Sequence, residues 1–99
     1  MSEDVTDGPI RSFMDLRVWK ESMDLAEASY ALAKVFPKDE NYGLTSRLRR
    51  AAVSLPANIA EGYGRETKGS YVHHLKIAQG SLRELQTHVL FAGRVQIIE

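Results

Sequence analysis

Apolar residues return every three or four positions along most of this chain, a spacing that predicts helices rather than strands. Leu16, Trp19, Met23, Ala26, Tyr30 and Ala33 make one such stripe, and Leu25, Ala28, Leu32, Val35 and Phe36 make a second beside it. A helix with two adjoining apolar stripes has more than one neighbour to touch. Ser12 or Asp15 is placed to cap its start, and Pro37 ends it, because a residue before proline is pushed out of the helical region. The connection "PKDENYG" offers Asp39 or Asn41 as the cap of a second helix, which buries Leu44, Leu48, Ala51, Ala52, Leu55 and Ile59. Gly62 and Gly64 supply its stop. After the loop "GYGRETKGS", with Thr67 or Ser70 as cap, a third helix runs from about Lys68 to Ala92 or Gly93. Its Tyr71, Leu75, Ala78, Leu82, Leu85, Val89 and Ala92 keep a seven-residue repeat that suits shallow-angle bundle packing.

No β-like alternation competes with these segments, so the expected fold is all-α with three long helices. Residues 1–11 hold little to bury and read as a flexible arm, leaving 12–99 as one helical domain. The closing "GRVQIIE" exposes Val95, Ile97 and Ile98 with too little length for another full helix. A chain of 99 residues buries only about 65% of its unfolded surface, so its own core is modest. The three apolar seams are therefore expected to be covered partly by other copies of the chain.

Proline at position 56 interrupts the most regular stretch, "RRAAVSLPANIAEGYGR", where it removes the hydrogen bond to the Ala52 carbonyl. A kink rather than a break is expected, since the apolar period resumes after it. Arg50, Ser54, Asn58 and Glu61 step by four, four and three, forming a polar strip beside the apolar one. Asn58 and Glu61 are expected to hydrogen-bond across the bend or to the next subunit, and Trp19 and Pro56 are read with them as structural or interface residues.

Composition changes the picture only through charge. The formal net charge is zero, yet residues 1–40 carry five basic against nine acidic side chains, and residues 41–99 carry eight against four. Arg47, Arg49 and Arg50 cluster in the basic part, with Arg65 and Lys68 in the loop beyond. Arg47 and Arg50 share a helical face while Arg49 looks elsewhere. Two readings stand: the arginines neutralise phosphates of RNA or DNA, or they are held in ion pairs between subunits.

Other chemistry finds no support in the spacing. With no cysteine there is no thiolate site and no disulfide framework. Gly64 and Gly69 lie as far apart as the glycines of a phosphate loop, but Ser70 and Tyr71 follow where Lys and Ser or Thr are needed, and no strand precedes. His73 and His74 point to different sides, and Glu84 with His88 supplies only two ligands of a metal. Ser54, Ser70 and Ser81 lack an adjacent activating histidine and carboxylate. No catalytic residue, cofactor or metal is assigned. The N-terminus shows no signal-peptide pattern and no run approaches the roughly 20 apolar residues of a membrane span, so a cytoplasmic protein is expected.

The segments "LRVWKESMDLA", "FPKDENYGLTSRLRRAAVSLPANIAEGYGR" and "YVHHLKIAQGSLREL" resemble the four helix bundle proteins encoded in intervening sequences of bacterial 23S rRNA. That family includes the accessory variability protein of diversity-generating retroelements. The resemblance spans residues 13 to about 92 and is densest from Phe36 to Gly62, with Gly80, Ser81 and Glu84 matching farther on. It implies an up-and-down antiparallel bundle assembled as a homopentamer, a basic surface meeting nucleic acid or a reverse transcriptase, and no enzymatic activity. Family chains continue into a fourth helix of roughly fifteen to twenty residues, a typical bundle length, which is expected to be truncated or missing here.

Overall fold

The computed structural model describes residues 9–96. Three helices account for most of them: α1, Arg17–Ala33; α2, Leu44–Tyr63; and α3, Lys68–Arg94. Short 3-10 turns, Phe13–Asp15 and Lys38–Glu40, precede α1 and α2. Consecutive helices joined by short connections and packed on one another must reverse direction, which gives the expected up-and-down bundle. The helix α3 is 27 residues long, about 40 Å of rise, and sets the 44 Å long axis of the molecule.

α2 is the shared element. Leu48 and Ala52 are completely buried, and Leu44, Ala51, Leu55 and Ile59 nearly so, as the apolar period of this segment requires. α2 packs extensively on α1 and on α3, whereas α1 and α3 share no comparable surface. The α3 repeat is also borne out. Ala78, Leu85 and Ala92 are buried, and Leu75, Leu82 and Val89 pack partly against the same core.

α1 keeps part of its expected face, with Leu16, Ala26 and Ala33 buried and Trp19 packed against the core, and departs from it at Met23 and Tyr30. The residues it buries are Ser22, Ala26, Ser29 and Ala33, all small, while Met23, Leu25 and Tyr30 stand at the sides of that seam, more than a third exposed. Small side chains let the two backbones approach closely. The buried hydroxyls remain satisfied inside their own helix, Ser22 donating to the Trp19 carbonyl at 2.7 Å and Ser29 to that of Leu25 at 2.8 Å. Apolar spacing puts large residues at the centre of this face because it reports hydropathy and not size.

The helix ends differ from expectation in instructive ways. Ser12 does cap, but it caps the 3-10 turn: its hydroxyl accepts from the Met14 amide, and the Asp15 carboxylate accepts from the amides of Ser12 and Arg11. These two backbone donors hold the Asp15 carboxyl below the usual aspartate range. α1 itself starts after Leu16 with no side-chain cap and ends at Ala33, four residues before Pro37. Neither Asp39 nor Asn41 caps α2, because the intervening 3-10 turn moves the start to Gly43. Thr67 caps α3 as expected, its hydroxyl accepting from the Ser70 amide at 3.1 Å.

Gly62 is not a stop. It lies inside α2, buried, where a Cβ would sit 2.9 Å from the Cβ of His74 and 3.2 Å from Tyr71 Cδ1. Its lack of a side chain is what lets α2 and α3 meet there, and Gly64 alone ends the helix. At the N-terminal side, Ile10 packs partly against the core, so order reaches back into the segment expected to be an arm. Residues 1–8 of that arm, and Ile97 and Ile98, lie outside the described residues. No helix among the described residues is long and apolar enough to cross a membrane.

Candidate nucleic-acid interface

The three clustered arginines follow from α2's start. Gly43 gives the helix no side-chain cap, and its first turn holds no acidic residue. Unpaired amides and the helix dipole already make that end positive, and Arg47, Arg49 and Arg50 add full charges within the first two turns. None of the three has a carboxylate within ion-pair distance among the described residues.

Their side chains divide as the helical angles require. Arg47 and Arg50 are exposed and line a cleft of about 570 Å³ between α2 and α3, with Ser54, Ser81, Glu84 and His88. Arg49 is half-buried and turns toward α1, its guanidinium 5.2 Å from the centre of the Tyr30 ring. That cation–π contact fixes the group without cancelling its charge. The buried Nε of Arg49 has no hydrogen-bond partner.

Arg65 and Lys68 do not join this cluster. α2 rises 1.5 Å per residue, so Arg50 is separated from the Gly64 end by about 20 Å. Arg65 donates to Glu61 one turn back, and Lys68 is the exposed first residue of α3. The five cations grouped by sequence are therefore two sets at opposite ends of one helix.

The polar residues behind the arginines serve the α2–α3 seam. Ser54 Oγ lies 2.7 Å from Ser81 Oγ. The Asn58 amide donates to the Ser54 carbonyl and hydroxyl, both at 2.9 Å, and its Oδ1 lies 3.2 Å from His74 Nδ1. Asn58 thus spans the turn containing Pro56 and ties it to α3. Glu61 takes no part in this network. Pro56 is buried, and α2 runs through it unbroken. Trp19 packs edge-on against Phe13, ring centres 5.3 Å apart, at the start of α1, where it shields the edge of the core.

Glu84 and His88 pair across one turn of α3 at 3.7 Å, and no group of three or more metal-ligating side chains occurs among the described residues. Periodicity alone missed Tyr30 and His74 as parts of these sites, and it missed Tyr42, which lines a cleft with Arg49 and Arg50. The legible signal was at Tyr42, a large ring in the polar stretch "DENYG" with nothing nearby in sequence to cover it.

No curated protein matches this chain. A family model, the 23S rRNA-intervening sequence protein, matches residues 14–99. That span takes in all three helices and the arginine cluster, and on it the chain belongs to the 23S rRNA-intervening sequence protein family.

Proposed function

We propose that this is a cytoplasmic, non-enzymatic, oligomeric bundle protein that binds RNA or DNA through the arginines at the start of α2, alone or alongside a nucleic-acid enzyme such as a reverse transcriptase. The observation that carries this reading is that Arg47, Arg49 and Arg50 stand at a helix end that is already positive and form no ion pair among the described residues, although Glu84 lines the same cleft as Arg47 and Arg50. Guanidinium groups left without carboxylate partners are suited to phosphate oxygens. Arg65, held by Glu61, contributes less.

Assembly is supported by a second feature. Because α1 and α3 flank α2 without closing on each other, an apolar groove of about 580 Å³ lies between them, lined by Val18, Leu25, Leu55, Ile59, Leu75 and Leu82. Covering such a face with another copy removes it from water. The family resemblance implies a pentamer, five times the 11.1 kDa chain.

A salt titration tests the binding. Affinity for a labelled oligonucleotide should fall linearly on logarithmic axes as salt rises, with a slope set by the number of phosphates neutralised. Absence of binding at low salt would remove the proposal. Light scattering on Arg49→Ala with Arg50→Ala separates the competing use of these residues: an intact assembly supports phosphate contacts, and dissociation would assign the arginines to ion pairs between subunits.

A further inference from the structure

Tyr42 is 98% exposed, the most open of the large apolar side chains. It stands in the loop just before α2, and it lines a cleft of about 620 Å³ together with Asn41, Ser46, Arg49 and Arg50. Val53 and Ala57 of α2 supply the apolar part of that lining, and Tyr30 of α1 borders it. One recess therefore combines a free aromatic ring, two guanidinium groups, a side-chain amide and a hydroxyl.

Each of these has a chemical use that a phosphate-binding patch alone would not need. A ring this exposed contributes little to the core, but it offers a stacking surface for a planar heterocycle. Arg49 is held over Tyr30 with its charge intact, so a fixed guanidinium lies beside that surface. Asn41 carries both a donor and acceptors suited to a base edge. Arg50 and Ser54 line this cleft and also the α2–α3 cleft that holds Arg47. Arg50 therefore borders both clefts.

We infer that this corner is a seat for an unpaired nucleotide within a single strand, its base stacked on Tyr42 and its neighbouring phosphates on Arg49 and Arg50. The inference rests on the nucleic-acid reading above and narrows it. A duplex keeps its base faces covered by stacking, so only an unpaired base can meet Tyr42.

The test measures fluorescence anisotropy of a labelled 12-nucleotide oligouridine and of a 12-base-pair RNA duplex, titrated with the full chain and with Tyr42→Ala, Tyr42→Leu and Tyr42→Phe. Because Tyr42 is 98% exposed and adds almost nothing to packing, these variants should keep the wild-type thermal melt. The single strand should bind more tightly than the duplex. Tyr42→Ala should weaken single-strand binding on the order of tenfold without changing the salt slope, Tyr42→Leu should do nearly the same, and Tyr42→Phe should retain affinity. Binding of both probes with no effect of Tyr42→Ala would overturn the stacking seat and leave the arginine reading standing. No binding of either probe at low salt would overturn both. A fall in assembly mass for Tyr42→Ala, read by light scattering, would instead place the ring under a second copy and end the proposal.

Discussion

The two halves of α2 put similar polar residues to different uses. In the second half every polar side chain named above has a partner: Asn58 holds Ser54 and His74, and Glu61 holds Arg65. In the first half, Arg47, Arg49 and Arg50 form no ion pair among the described residues, and Arg49 is positioned instead by an aromatic ring. Residues that satisfy one another serve packing. Residues whose charge is left over are the ones available to a ligand, and that distinction cannot be made by counting charges along the sequence.

The comparison can be broken at several points. The largest effect should come from Leu48→Ala. Leu48 is fully buried beneath the arginine cluster, so truncation should cost about 3 kcal/mol of stability in a denaturant titration; a loss under about 1 kcal/mol would mean that the first half of α2 is not firmly packed. Next is Gly62→Ala in the other half, where the new methyl meets the backbone-adjacent Cβ of His74. Overpacking there should cost about 1–3 kcal/mol while leaving oligonucleotide affinity unchanged. Equal losses of affinity and stability would show that the two halves are not functionally separate.

Smaller still is Arg50→Ala, which should weaken binding several-fold and lower the magnitude of the salt slope by about 0.7 on a single strand, one phosphate contact's share. The smallest is Glu61→Gln. It frees Arg65 from an exposed pair, and such pairs contribute about 0–1 kcal/mol, so the melting temperature should hardly move. A slight rise in affinity would be the sign that Arg65 had been restrained by Glu61.

Much of this molecule was legible in its sequence because apolar spacing reports which face is covered. The α2 and α3 cores follow directly from that spacing, as does the separate direction of Arg49. What spacing cannot report is size and distance. α1 buries Ser22 and Ser29 rather than Met23 and Tyr30 because close helix approach selects small residues, and their hydroxyls are satisfied by their own helix. Gly62 looked like a helix stop because glycine has that role at ends, and only the nearness of His74 shows it to be a packing contact. Arg65 and Lys68 looked like neighbours of Arg50 because a short stretch of sequence separates them, but in a helix that stretch is a rod about 20 Å long. Tyr42 reads in the sequence only as part of a connection, and its exposure is visible only in the fold.

The most direct test of the account pairs two double variants of matched charge, Arg47→Ala with Arg50→Ala and Arg65→Ala with Lys68→Ala, in salt titrations of single-strand binding. The account predicts that the first pair lowers the slope by about 1.4, two phosphate contacts, with at least tenfold weaker binding at low salt, while the second changes both only slightly. Equal effects from the two pairs, or a larger effect from the second, would contradict it.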